Sequence, residues 1–249
     1  MYQNPLLSIL LLIGIAPIIG SFLGVLYHRI PAGRSIGFDR SACDDCGHVL
    51  NAIDLLPVVT WLATRGRCRH CGVSISAFYP AIEIAALGVV LWAWTVFTDW
   101  QVWVTSILGW NLMAVMLINR AHNSLPGAKI LIWPLAVLGL AVAWYTAPIS
   151  VVDHLVGAVV GFVLGRMFDR SDDDKLDGHL GLGGEGAALF CACGAWVAWQ
   201  GLADLTILFL VLTVMASVSK REGWRPIPGG ACMAMGLWLT WLYGPFVQI

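Results

Sequence analysis

What most constrains this chain is a succession of apolar segments, each near the roughly 20 residues that a helix needs to cross a hydrocarbon layer at a rise of about 1.5 Å. They fall at about 5–27, 79–99, 101–119, 130–148, 150–168, 187–202, 203–218 and 228–247. Of 249 residues, 59% are hydrophobic and 12% charged, and a mean hydropathy of +0.79 leaves too little polar surface for a soluble domain of this size. Inside lipid the backbone must satisfy its own N–H and C=O groups, which long apolar runs do as helices. The expected fold is an all-α polytopic membrane protein of about eight transmembrane helices.

Lys and Arg are retained on the cytoplasmic side of short loops, so their positions test the layout. Arg29, Arg34, Arg40, Arg65, Arg67 and Arg69 follow the first span, and Arg120 and Lys129 follow the third. Arg166, Arg170 and Lys175 lie at the fifth, and Lys220, Arg221 and Arg225 follow the seventh. All 14 basic residues thus fall on one side, while the opposite connections near 97–102, 147–150 and 200–205 carry Asp99 and Asp204 and no positive charge. Both termini are expected outside the cytoplasm. Residues 1–4 lack the positive charge of a signal peptide, and the first apolar run exceeds a typical h-region, so a retained first helix is expected. The net charge of −1 argues against nucleic acid as a partner. Charged residues are nearly absent from the span centres, which speaks against a channel or transporter.

Three regions follow from this layout: a first helix at 1–27, a cytoplasmic segment at 28–78 and a membrane domain of about seven helices at 79–249. The middle segment contains "CDDC" at 43–46 and "CRHC" at 68–71. Two Cys-x-x-Cys pairs match the knuckles in which four thiolates converge on a tetrahedral Zn²⁺. Four thiolates leave no open coordination position, so Cys43, Cys46, Cys68 and Cys71 predict a structural metal. Gly47 and Gly72 each follow their pair, where a tight turn would aim amides at the sulfurs. Paired disulfides or redox chemistry are the other readings, the first disfavoured on a reducing side of the membrane. His48 and His70, beside the cysteines, are expected to be solvated. Cys191, Cys193 and Cys232 lie in apolar surroundings and are expected to pack as small hydrophobes.

Taken together these motifs resemble the type IV prepilin peptidases, bifunctional leader peptidases and N-methyltransferases of the bacterial inner membrane. "GSFLGVLYHRIP" (20–31) is similar to the first-helix signature of that family, and "LLPVVTWLATRGRC" (55–68) to its cytoplasmic segment. "YPAIEIAALGVV" (79–90), "GAWVAWQ" (194–200) and "PIPGG" (226–230) resemble later landmarks. The resemblance implies cleavage of basic leaders from type IV prepilins or pseudopilins by two aspartates, with pilus or secretion assembly proteins as partners. It also implies S-adenosylmethionine as a cofactor wherever methyl transfer is kept.

Both acid positions of that family are changed here. In "LINRAHNSLPGAKI" (117–130), Asn119 stands where the resemblance places the first aspartate and Gly127 in the later Asp position. Counting back from "GAW" at 194–196, the second aspartate falls on Gly186 and a lysine on Ala188. An aspartic dyad works by two carboxyl groups sharing one proton, which an amide and a bare backbone cannot do. The glycine-rich "GLGGEGAALF" (181–190) retains one acid, Glu185, as the candidate catalytic remnant. Asp169, Asp172, Asp173, Asp174 and Asp177 share that face but read as a solvated acidic run, and His122 and His179 as exposed loop residues.

Two functions remain open. One is a peptidase-inactive homologue that binds pilin-like proteins or assembly partners, and the other an enzyme of altered chemistry or of methyl transfer alone. Glu83, in the first turns of the second span, is read equally as a structural acid or a substrate-binding one. Asp153 and His154 are expected at the opposite surface. Most of the 13 tryptophans, among them Trp92, Trp94, Trp100, Trp103, Trp196 and Trp199, are expected as interfacial anchors.

Overall fold

The computed structural model describes residues 5–30, 41–43, 45–51, 58–122, 129–146, 151–173, 182, 185–218 and 227–244. Gly127, Asp174, Asp177 and His179 lie outside the described residues, as do the side chains of His122, Asp172 and Asp173. The described residues form eight helices, in order α1 (Pro5–Arg29), α2 (Val59–Ala63), α3 (Phe78–Val96), α4 (Trp100–His122), α5 (Lys129–Thr146), α6 (Val151–Asp173), α7 (Gly186–Val218) and α8 (Gly229–Tyr243). Among the described residues there is no strand beyond two isolated antiparallel bridges. Among the described residues, five helical stretches are by length and composition apolar enough to cross a membrane: Leu6–Arg29, Phe78–Val96, Trp100–Arg120, Val151–Asp169 and Gly186–Val218. Leu131–Thr146 is a shorter apolar helix. The protein is an all-α polytopic membrane protein.

The chain divides into two compact units, Met1–Trp110 and Asn111–Ile249, with α4 running from one into the other. In the first, α1 packs on α3 at Gly20, where a Cβ would lie 2.5 Å from the Glu83 Cα; only a glycine lets the two backbones come that near. Trp110 donates its indole N–H to the Ala86 carbonyl at 2.9 Å and ties α4 to α3. Between these helices the chain turns through Asp99 at φ 57°.

In the second unit α7 is the hub, packed on α5, α6 and α8. Helical geometry within α7 is interrupted at Ala198 (φ 56°, ψ −176°). In a straight helix Phe190 and Phe209 would stand about 28 Å apart at 1.5 Å per residue, yet their ring centroids are 5.8 Å apart, and Phe168 of α6 touches both. The helix therefore folds back at Ala198 into two antiparallel arms, 186–197 and 199–218. The two spans expected at 187–202 and 203–218 are these arms, with the reversal earlier than the sequence placed it. Asp204, expected in the opposite connection, is instead buried in the second arm.

A small-residue seam joins α6 to the first arm of α7. Gly157, Gly161 and Gly165 recur every fourth residue and so share one face of α6. A Cβ on Gly157 would meet the Ala198 and Gly194 backbone, one on Gly161 the Phe190 carbonyl, and one on Gly165 the backbone of Gly186 and Ala187. Beyond the first of these, Asp153 accepts the Trp199 indole N–H at 3.2 Å and the His154 ring nitrogen Nδ1 meets the Ala195 carbonyl at 3.0 Å. Both contacts serve the reversal at Ala198, where carbonyls lose their helical donors. Trp196 departs from the expected interfacial placement: it is buried, and donates to the Leu135 carbonyl of α5 at 2.8 Å.

Gly161→Ala puts a methyl group into backbone that cannot retreat, and overpacking of this kind costs about 1–3 kcal/mol. Thermal unfolding of the detergent-purified protein is expected to shift down for Gly161→Ala. It should not fall for Gly14→Ala, whose added Cβ meets nothing within 4 Å.

Candidate functional site

Two groups of residues carry chemistry, one in each unit. The first is built from a duplicated turn. Cys43 N–H donates to the His48 carbonyl at 2.9 Å and Gly47 N–H to the Cys43 carbonyl at 2.9 Å. Twenty-five residues on, Cys68 N–H donates to Val73 at 2.9 Å and Gly72 N–H to Cys68 at 3.0 Å. Bridges Ala42–Val49 and Arg67–Ser74 close the two turns. Gly47 (φ 68°) and Gly72 (φ 75°) occupy the left-handed region that the turn demands, which favours glycine at both places.

These two knuckles bring the sulfurs of Cys43, Cys46, Cys68 and Cys71 within 4.8 Å of one another, with Cys43 and Cys71 at 3.8 Å. All four are free thiols, so the disulfide reading does not hold. Four sulfurs bound tetrahedrally at about 2.3 Å would themselves stand about 3.8 Å apart, so the cluster fits a metal ion. Amides of Cys71 and His70 pull the Cys68 thiol down to about 7. At Cys71 the Val73 amide also lowers, but desolvation and the neighbouring thiols outweigh it and push the group up to about 12. Cys68 is thus poised to ionise before Cys71, and a dication would draw off the remaining protons. His48 and His70 are not simply solvated: their rings stack with centroids 3.4 Å apart.

Glu83 ties this segment to the helices. It is buried in α3, and its Oε2 accepts the Val58 N–H at 2.6 Å while the Ser21 hydroxyl of α1 also bonds to it. Val58 holds a left-handed conformation (φ 55°) that a β-branched residue adopts only under constraint, and the Glu83 carboxylate supplies one.

The second group lies in the other unit. Asn119 is fully buried near the end of α4, its side chain against Gly230 of α8, where a Cβ would sit 2.7 Å from the Asn119 Oδ1. Gly186 opens α7 and has a different neighbour. Asp169 of α6 accepts the Gly186 N–H on Oδ1 at 2.9 Å and the Ala187 N–H on Oδ2 at 3.1 Å. A Cβ on Gly186 would lie 2.5 Å from that Oδ1. The carboxylate of Asp169 therefore fills the space that a side chain at 186 would enter, and caps the positive end of α7. Glu185, half-buried, precedes the helix, and its carbonyl accepts the Leu189 N–H at 3.0 Å.

Sequence reasoning placed Asp169 in a solvated acidic run and missed this contact. A signal was present, since Asp169 lies one helical turn beyond Gly165 and so on nearly the same side of α6.

Helices long enough to span a bilayer, together with a four-cysteine cluster that could hold a metal ion, define a polytopic membrane protein with a candidate metal site. Comparison with known proteins then narrows the class. The bacterial peptidase A24 N-terminal domain matches residues 12–97, which hold most of α1, both knuckles and α3. The prepilin leader peptidase/N-methyltransferase of Stutzerimonas stutzeri is 33% identical over 275 aligned positions, covering 97% of this chain and 93% of the relative. Those of Pseudomonas aeruginosa (32%; 97% and 92%) and Aeromonas hydrophila (31%; 91% and 87%) match similarly. No solved structure matches. The chain belongs to the prepilin leader peptidase/N-methyltransferase family.

Two outcomes follow from these geometries. The purified protein should carry one metal ion per chain by elemental analysis. Cys46→Ser should lose it, and chelators should extract it faster as pH falls, because protons then compete for the sulfurs. At the other group, Asp169→Ala should cost about 1 kcal/mol as a lost cap. Gly186→Ala should be destabilising in the native background and less so beside Asp169→Ala, a coupling above about 0.5 kcal/mol in a double-mutant cycle.

Proposed function

We propose that this chain is an inner-membrane member of the family that binds type IV pilin-like proteins or pilus and secretion assembly partners without cleaving them. Peptide hydrolysis by a pair of carboxyl groups needs one to take a proton from water while the other gives one to the scissile carbonyl or leaving amine. Counted from the motifs that resemble the family's, Asn119 and Gly186 stand at those positions. A carboxamide neither ionises nor takes up a proton near neutral pH and so cannot act as the general acid or base, and Gly186 has no side chain. Proton transfer alone contributes about 10²–10⁴ to such a rate. The observation that carries the reading is the Asp169 carboxylate, both of whose oxygens already accept backbone N–H groups at the start of α7.

The metal is Zn²⁺ in this reading, with a structural task. It holds the cytoplasmic segment, and Glu83 fixes that segment to α1 and α3 where a leader peptide would approach. The relatives are named N-methyltransferases as well as peptidases, so S-adenosylmethionine is the methyl donor to test. Bound radiolabel above a heat-denatured control would support a methyltransferase-only protein.

A second reading, an active enzyme of altered residues, is favoured by the same Asp169, since its carboxylate stands where a side chain at 186 would project. Glu185 would be its other acid. Incubation of the purified protein with a prepilin of its own host separates the two. The proposal expects co-purification of the intact prepilin and no leader removal. Cleavage that disappears in Asp169→Asn or Glu185→Gln would replace it with the second reading.

A further inference from the structure

The one-turn helix α2 has an apolar face that, among the described residues, nothing covers. Val59 and Leu62 are each 63% exposed, and Ala63 beside them is exposed too. Positions 59, 62 and 63 share one side of a helical turn. Residues that a metal-bound polar segment presents to water would ordinarily be polar, so this face needs an occupant.

Its height relative to the bilayer can be read from one hydrogen bond. The Val58 N–H that begins α2 reaches Oε2 of Glu83, which is five residues into the apolar span Phe78–Val96. Five helical residues rise about 7.5 Å, and the Glu83 side chain leans back toward the start of its helix by up to about one turn. Val58 is therefore held no higher than the first turn of α3. That level is marked independently by rings: Tyr27 and His28 at the end of α1 pack on Phe78 and Tyr79 at the start of α3, Tyr27 to Phe78 at 4.6 Å and His28 to Tyr79 at 5.7 Å. Aromatic belts of this kind lie at the headgroup boundary.

The other side of α2 is pinned. Trp61 donates its indole N–H to the Ile75 carbonyl at 3.1 Å and lies against Gly66, so α2 cannot roll its apolar face inward. Immediately after it, Arg65 (φ 53°) and Gly66 (φ 67°) turn the chain, leaving Arg65 and Arg67 exposed.

We propose that α2 and the Arg65–Arg67 turn form an interfacial anchor for the metal-binding segment. Val59 and Leu62 insert into the headgroup and acyl boundary of the bilayer that α1 and α3 cross, and the two guanidinium groups meet anionic phospholipid headgroups. Shallow burial of about 5–10 Å is the depth at which interfacial helices sit, and it matches the level fixed by the Glu83 bond. Arginine favours the phosphate of such lipids by charge and by its forked donors. The anchor and the Glu83 bond together hold the segment at one height on the membrane.

The test places a photoreactive benzoylphenylalanine at 62, and separately at 59, in the full-length protein in nanodiscs. Mass spectrometry then identifies what each position captures. Phospholipid adducts are expected at both positions, and their yield should fall severalfold when phosphatidylglycerol is replaced by phosphatidylcholine. Arg65→Gln with Arg67→Gln should abolish that lipid preference while leaving the metal content unchanged. Capture of protein instead of lipid, or no capture, would overturn the insertion. Equal yields from the two lipids in the native background would overturn the headgroup assignment.

Discussion

The second unit depends on backbone meeting backbone along α6 and the first arm of α7. Apolar burial does not drive helices together in lipid as it does in water, so close approach through small residues supplies the packing. Gly157, Gly161 and Gly165 each face α7 atoms that would collide with a Cβ. The acids that extend this row at either end, Asp153 and Asp169, bond to Trp199 and to the Gly186 and Ala187 amides. A continuous row of residues thus zips α6 to the arm, with hydrogen bonds closing both ends.

That seam explains why position 186 has no room for a side chain. Where Gly165 touches the backbone of Gly186 and Ala187, α6 is already as near as it can come. One turn further, the Asp169 carboxylate lies over the opening amides of α7. A residue larger than glycine at 186 has to displace it. Glycine at 186 and the presence of Asp169 are thus two sides of one packing arrangement. In the first unit Glu83 has a comparable place, since a single buried carboxylate joins α1, α3 and the cysteine-bearing segment. Both are acids near the ends of apolar helices, and each bonds to backbone N–H groups of another element.

Much of this was legible in the sequence. Apolar runs of span length gave the helices to within a few residues at most ends, because lipid leaves the backbone no alternative. The repeated Cys-x-x-Cys-Gly marked both knuckles, since a left-handed turn and four convergent thiolates each demand a particular residue type. The reversal at Ala198 was not legible. Alanine is the strongest helix former and carries no turn signal, and the break is held by Asp153, His154 and Gly157 from a helix 40 residues earlier. Asp204 was misplaced for the same reason. Asp169 was hidden by the acids that follow it: a run of like charge reads as solvated, whereas its register with three glycines places it against α7. Trp196 likewise looked interfacial, although its N–H is satisfied by a carbonyl of α5 inside the protein.

The central claim is that a carboxylate from α6 closes the start of α7. Hydrogen exchange of the peptide spanning 185–190, followed by mass spectrometry in native and Asp169→Ala protein, measures it directly. The account predicts slow exchange of the Gly186 and Ala187 amides in the native protein, and their rapid exchange once the acceptor is gone. Equal rates in the two proteins would show that Asp169 does not hold those amides, and would contradict it.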